Sequence, residues 1–388
     1  MREVFTTFLR LGLTSFGGPI AHLAYFRRTL VEERRWIDEA GYARIVAFCS
    51  VLPGPTSSQV GMLLGLVRGG PAGALLAWLG FTAPSAILMT AIAATLAGVE
   101  QHGRPDWFGG LLDGLFAAAA AVVAQAVLGL AATLCTERRT RTIGLAAAIV
   151  ALALRPYPGL QWLPIVLGFA VGAVWLHDAE LKTEPLPIRI PRAIAVLAAI
   201  VFVGLLALTV LPRTPVTELL GTLVRAGSLV FGGGHVVLPL LQSMVGDGLV
   251  GARDFFAGYG AVQAMPGPLF TFSAFLGYVN GSPLHGVLGA LVAVVLIFAP
   301  SFALLFALAP IWNRLSALPR AAGALRGANA AVVGLLGAVL YDPVIVSLGA
   351  NVPRVAIALA AFGAIAVWRT APWLVVACAA VLGAFIRA

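Results

Sequence analysis

Residues 3–18, EVFTTFLRLGLTSFGG, and residues 218–233, ELLGTLVRAGSLVFGG, are two copies of one segment. At a shift of 215 positions Glu3, Thr7, Arg10, Gly12, Phe16, Gly17 and Gly18 fall on Glu218, Thr222, Arg225, Gly227, Phe231, Gly232 and Gly233. Shared composition does not produce a matched charged pair followed by a matched Phe-Gly-Gly. Further along, with small gaps, Pro53-Gly54-Pro55 repeats as Pro266-Gly267-Pro268, and Ala83-Pro84-Ser85 repeats as Ala299-Pro300-Ser301. Three blocks in conserved order define an internal duplication.

The chain around these blocks is apolar. Of its 388 residues, 60% are hydrophobic and 11% charged, and the mean hydropathy is +0.97, values that a solvated surface does not tolerate. Apolar runs of roughly 20 residues recur, the length that crosses about 30 Å of hydrocarbon as a helix. They are rich in Ala, Leu, Val and Gly, as closely packed membrane helices are. The short alternating stretches of an outer-membrane barrel are missing. The sequence therefore predicts an all-α, polytopic membrane bundle and a transporter, not an enzyme.

Six runs, at about 4–26, 42–67, 71–98, 108–134, 142–156 and 160–176, precede a polar stretch from His177 to Arg192. A seventh follows at about 193–211, and six more at about 216–243, 255–280, 284–312, 324–341, 352–368 and 371–387. These boundaries suggest a first repeat over 1–177, a linker with one intervening span over 178–213, and a second repeat over 214–388. Six spans return the chain to its starting side, so the odd seventh would invert the second repeat relative to the first, a common transporter plan. The basic residues fit this only in part. With the N-terminus inside, Arg138, Arg139, Arg141, Lys182, Arg189, Arg192, Arg314 and Arg320 are inside, but the loop from Arg27 to Arg35 falls outside. Either that loop breaks the positive-inside rule, or the Gly-rich first segment dips in and returns without crossing.

Several constellations could carry chemistry. Arg10 and Arg225 each lie inside an apolar run, where an ionised side chain is costly and so a functional candidate. Glu3, Thr7 and Arg10 share a helix face, as do Glu218, Thr222 and Arg225. The plain alternative is an arginine held by its own glutamate or reaching to the headgroups. The functional reading is a pair of guanidinium groups converging on an anion. Gly17-Gly18-Pro19 and Gly232-Gly233-Gly234 cannot continue a helix, and a break in the membrane is tolerated only around a cavity or inside protein. Opened amides or a half-helix N-terminus suit an anionic oxygen; close packing of small residues is the alternative. Pro53-Gly54-Pro55 and Pro266-Gly267-Pro268 predict kinks and hinges. After the first come Thr56, Ser57, Ser58 and Gln59, four neutral hydrogen-bonding side chains, while Gln263 precedes the second. These five are candidate ligands, unless the hydroxyls bond back to their own helix. His22 and His235 lie just past the glycine breaks but out of register, and a satisfied histidine competes with a proton-carrying one. Asp113 aligns with Arg326 at a shift of 213.

Other chemistries find no support. Cys49, Cys135 and Cys378 stand singly in apolar surroundings, so no metal site or disulfide framework is expected. No phosphate-binding GxxxxGK[ST] loop occurs, and no cofactor is implied. The net charge of +9 comes from short loops that set topology, so nucleic acid is not an expected partner. Met1 to Phe8 lacks the pattern of a cleaved signal peptide and reads as retained.

Arg10-Leu11-Gly12, Phe16-Gly17-Gly18-Pro19, Trp36-Ile37-Asp38 and Leu52-Pro53-Gly54-Pro55-Thr56-Ser57-Ser58-Gln59 together resemble the chromate transporter family. Phe231-Gly232-Gly233-Gly234-His235 and Gln263-Ala264-Met265-Pro266-Gly267-Pro268 resemble that family's second domain. Ser50 departs from the pattern where Gln263 keeps it, and Trp36-Ile37-Asp38 has no second-half counterpart beyond Asp254. The resemblance implies the long two-domain form, with thirteen spans, in the bacterial inner membrane. It implies chromate efflux and chromate resistance, with sulfate as a related oxyanion; uptake or exchange of sulfate or another oxyanion is the alternative. A homodimer is the one protein assembly entertained.

Overall fold

The computed structural model describes residues 1–102, 106–157, 160, 162–176, 186–188, 190–212, 214–230, 241, 245, 249–316, 318–349 and 351–387. Among these the chain is helical and contains no strand. The first repeat comprises α1 (Arg2–Thr14), α2 (Gly18–Phe26), α3 (Glu39–Val51), α4 (Thr56–His102), α5 (Asp106–Leu134), α6 (Arg138–Ala153) and α7 (Leu163–Trp175). After α8 (Arg192–Ala207), the second comprises α9 (Pro215–Leu229), α10 (Ala252–Gln263), α11 (Phe272–Val279), α12 (Gly286–Leu308), α13 (Pro319–Val339), α14 (Val352–Ala366) and α15 (Pro372–Arg387).

The first two apolar runs are not straight helices. α1 stops at Thr14, the chain reverses through Ser15, Phe16 and Gly17, and α2 starts at Gly18 with Pro19 in its first turn. Gly17 and Gly18 take φ of 98° and 77°, values that side chains with a Cβ resist. α2 runs on through a π-helical stretch, Arg27–Glu33, and returns beside the start of α1. There Glu3 accepts from Arg34 at 3.2 Å and from Arg68 at 2.9 Å. The Arg68 guanidinium also sits 5.8 Å from the ring centre of Trp36. The start of α1, the end of α2's extension, the entry to α3 and residue 68 of α4 therefore lie together. Both runs, 4–26 and 42–67, are hairpins of short helices with tips at residues 15–17 and 53–55. Each was expected to be one span; the glycine and proline blocks instead reverse the chain at mid-length. In the second repeat the amide of Gly281 donates to the carbonyl of Leu249 at 2.9 Å, closing the outer end of the equivalent hairpin, α10 to α11, around Pro266-Gly267-Pro268.

Beyond each hairpin the chain folds back and continues as a long helix. Gly69 and Gly70 break α4, with Gly70 at φ 60° and ψ −160°, so that Gly65 and Gly73 face each other without side chains between them. Gly277 and Gly289 do the same between α11 and α12. Residues 71–98 pass from this contact to Ser85 and on to Leu96, which packs on the cluster holding Ala257 of α10. α12 runs past Ser301 to Leu305, buried in the first repeat's hairpin core. Just beyond it Trp312 packs on Phe48 of α3 with ring centres 4.8 Å apart. Each long helix thus travels from the outer end of its own hairpin to the body of the other repeat's.

Among the described residues five helical segments are long and apolar enough to cross a membrane: Thr56–Gly98, Trp107–Leu134, Arg192–Val210, Gly286–Ile311 and Pro319–Asp342. Shorter apolar helices occupy Leu163–Trp175, Val352–Ala366 and Pro372–Ile386. α8 has no buried residue, and Val196, Leu197, Ile200 and Val203 are mostly exposed. Such a helix is at home in lipid and not in water. The outer bundle exchanges helices between repeats: α5 packs against α14 and α15, and α13 against α6 and α7. Bare backbones let them approach, with Gly168 and Gly172 of α7 against Gly327 and Gly323 of α13.

Candidate functional site

The hairpin tips cross. The Gly54 amide donates to the Val230 carbonyl at 2.6 Å, and the Gly267 amide donates to the Ser15 carbonyl at 2.9 Å. Ser15 and Val230 are equivalent positions in the duplicated segment, so the two bonds are one contact made twice, each Pro-Gly-Pro tip docking on the backbone just before the opposite repeat's Phe-Gly-Gly. Only glycine suits these points. Gly54 and Gly267 hold φ of 121° and 90°. A Cβ on Gly54 would collide with the side chain of Ser301, and one on Gly267 would lie 2.9 Å from Ser85 Oγ. The third duplicated block, Ala-Pro-Ser, therefore also crosses over, each serine facing the other repeat's tip.

Polar side chains gather on these segments. Ser15, Ser57, Ser58, Gln59, Thr82, Ser85, Gln263, Ser273 and Ser301 are all buried. Some are satisfied locally: Gln59 Nε2 donates to the Pro53 carbonyl at 2.8 Å, and Ser85 and Ser301 donate to carbonyls of their own helices. Others are not. Ser15 Oγ, Ser58 Oγ, Gln59 Oε1, Thr82 Oγ1 and Ser273 Oγ have no hydrogen-bond partner among the described residues. A buried polar atom left so costs about 1–3 kcal/mol, and a concentration of them marks a place built for something else to bind. α4 begins at Thr56, directly after Pro55, so the first-turn amides of Thr56, Ser57 and Ser58 have no intrahelical acceptor and carry the positive end of the helix dipole.

His22 joins the cluster from the first turns of α2. It is buried, its Nδ1 lies 3.2 Å from Ser57 Oγ, and its ring meets Phe81 edge-on at 5.2 Å. Among the described residues at the tips no side chain is formally charged, and His22 is the one imidazole.

The arginines sit elsewhere. Arg10 is on the exposed side of α1, and the carboxylate of Glu3 goes to Arg34 and Arg68, not to Arg10. Arg225 is half-buried, donating to Thr222 Oγ1 at 3.3 Å and to the Thr209 carbonyl at 3.4 Å. Thr222 and Arg225 thus share a face as their spacing required, while Thr7 is buried with its hydroxyl unpartnered. Glu218 is half-buried. Gly232, Gly233 and His235 lie outside the described residues. Sequence reading passed over Ser15, Thr82 and Ser273. It saw Ser85 and Ser301 only as marks of the duplication, although their repetition was a usable signal.

The Chromate transporter family profile matches residues 2–176 and again 217–384. A chromate transport protein of Pseudomonas aeruginosa is 30% identical over 380 residues, covering 93% of this chain and 85% of its own. A probable chromate transport protein of Synechococcus elongatus is 28% identical over 364 residues, 88% of this chain and 84% of its own. An uncharacterized transporter of Bacillus subtilis is 26% identical over 170 residues, 44% of this chain but 82% of its own. No solved structure matches.

Proposed function

Because the chain belongs to the chromate transporter family, a family of membrane transporters and not enzymes, we propose that it carries tetrahedral oxyanions, chromate foremost, out of the cytoplasm and so confers chromate resistance. The observation that carries this reading is the crossing of the two hairpin tips amid buried, unpartnered donors. A tetrahedral oxyanion offers four oxygens to hydroxyl, amide and backbone donors arriving from several directions. The opened start of α4 adds a favourable dipole. Arg10 and Arg225, about two turns before the glycine breaks, act as approach charges that raise the local anion concentration.

Topology supports transport by alternating access. If both hairpins of the first repeat return on the side they entered, the crossings are residues 71–98, α5, α6, α7, α8, α12, α13, α14 and α15. Four crossings and then α8 start the second repeat on the opposite side, so the repeats remain inverted with nine crossings in place of thirteen. The opposed courses of residues 71–98 and α12 favour this arrangement. So does charge: Arg27, Arg28, Arg34, Arg35 and Arg68 join Arg138, Arg139, Arg141, Lys182, Arg189, Arg192, Arg314 and Arg320 on one side, while the opposite loops carry single arginines such as Arg104, Arg155, Arg213 and Arg253, so the basic clusters share one side. That side is the cytoplasm of the bacterial inner membrane.

The test is chromate flux in reconstituted inside-out vesicles with pH gradient and membrane potential imposed separately. Chromate accumulation inside such vesicles is expected. Chromate leaving them, or no chromate-dependent flux, would overturn the reading.

A further inference from the structure

We propose that His22 takes up a proton as the oxyanion enters the tip site, so that the transported unit is one tetrahedral dianion together with one proton. This rests on the oxyanion reading above and extends it to the coupling. A dianion removed from water into a neutral, buried cluster lacks the opposite charge that a buried ion needs. Hydroxyls, amides and a helix dipole supply partial charge only. His22 is the one group at the described tips able to gain a whole positive charge near neutral pH, and it is already in place: buried, and 3.2 Å from Ser57 in the first turn of α4. A dianion bound beside the ring supplies the opposite charge that a buried imidazolium needs, and the empty site supplies none, so occupancy decides the proton. Ser57 suits both states, because its hydroxyl can donate to an unprotonated Nδ1 and accept from a protonated one.

The charged and titratable groups on the elements packed around α2 have their own partners or positions. Glu3 of α1 pairs with Arg34 and Arg68. Arg27 pairs with Glu32 and Glu39, and Arg28 with Glu33. Arg10 lies on the exposed side of α1, and Arg44 of α3 is half-buried and donates to the Ala40 carbonyl at 3.3 Å. Tyr42 of α3 donates its hydroxyl to the Leu23 carbonyl at 2.6 Å, and Cys49 is sealed in the apolar core. These ion pairs cluster at the outer ends of the hairpins, away from the tips. The proton therefore has a seat beside the anion and not along a chain of carboxylates. Each cycle then moves one net negative charge instead of two.

The experiment uses the full chain in proteoliposomes at about pH 8, above the range where imidazole titrates. Chromate flux is followed together with a pH-sensitive dye and the potential at which net flux vanishes. Wild type is expected to move about one proton and one net charge per chromate. His22→Gln is expected to transport more slowly, to move no proton and to carry two charges, and Ser57→Ala to shift the pH midpoint of transport. A wild type that moves two charges and no proton overturns the proposal, as does His22→Gln with the wild-type proton count. Should His22→Gln be inactive, the wild-type count decides alone. Absence of any chromate flux in wild type sinks the parent reading first, and is recognised because no anion-dependent signal of either kind is seen.

Discussion

The two hairpin tips share a backbone and differ in chemistry. Pro53-Gly54-Pro55 and Pro266-Gly267-Pro268 make the same amide-to-carbonyl bond to the opposite repeat, in the same left-handed conformation. After the first tip come Thr56, Ser57, Ser58 and Gln59; after the second come Leu269, Phe270, Thr271, Phe272 and Ser273. Thr271 donates its hydroxyl back to the Pro268 carbonyl at 2.8 Å, whereas Ser57 faces His22 and Ser58 Oγ has no partner among the described residues. Duplication has preserved the frame that lets the tips cross. The groups that can hold a ligand have concentrated in the first copy.

The frame gives the largest expected effect. Gly54 and Gly267 both sit at a φ that alanine resists, but Gly54→Ala places a Cβ against the side chain of Ser301, whereas Gly267→Ala meets the Ser85 hydroxyl at 2.9 Å and, at 3.3 Å, the Phe81 carbonyl and the Ser85 Cβ. Both should abolish chromate transport. Thermal unfolding in detergent should show Gly54→Ala losing more, about 3 kcal/mol or above against about 2. Adding Ser301→Gly to Gly54→Ala should recover only the steric part. Equal losses for the two single variants would show that the tips are not held by these contacts.

Chemistry gives the next effect. Replacing an unpartnered buried hydroxyl by alanine removes a desolvated group, so Ser58→Ala and Ser273→Ala should each leave stability within about 1 kcal/mol of wild type. Transport should separate them. Loss of a hydrogen bond to a charged ligand is worth about 1.5–3 kcal/mol, or roughly 10- to 100-fold, and Ser58→Ala should show it while Ser273→Ala shows much less. Equal transport defects would place the ligand evenly between the copies. Arg225→Gln and Arg10→Gln should act more weakly, raising the chromate concentration needed for half-maximal flux, with the effect fading at high salt. Of the two, Arg225→Gln should also lower stability, because its guanidinium ties α9 to the Thr209 carbonyl.

Much of this comparison was legible in the chain. Phe-Gly-Gly and Pro-Gly-Pro announce interruptions because glycine and proline act on their own backbone, and their repetition announces two copies. What those interruptions do was not legible. A helix break that kinks a span and one that reverses it have the same local sequence; the difference is fixed at a distance, by Glu3 meeting Arg34 and Arg68 and by Gly65 meeting Gly73. For the same reason Arg10 could be placed on an apolar helix but not on its outward side, and Ser15, matched to Val230, carried no repeat signal although its carbonyl receives the opposite tip.

The smallest effect concerns the outer bundle, where Asp113 and Arg326 align in the duplication with opposite charges. Each found a partner in the other repeat: Asp113 with Arg354 at 2.6 Å, Arg326 with Glu137 at 2.7 Å. The first pair is the more enclosed, with side chains 16% and 27% exposed against 55% for Glu137. Removing one member of an enclosed pair strands the other, while an exposed pair contributes at most about 1 kcal/mol. Asp113→Asn should therefore lower stability by about 2 kcal/mol, with little response to salt, and Glu137→Gln by about 0.5 kcal/mol, vanishing as salt rises. If the order were reversed, the enclosed pair would be held by the packing of α5 on α14 and α15, and its charges would be passengers.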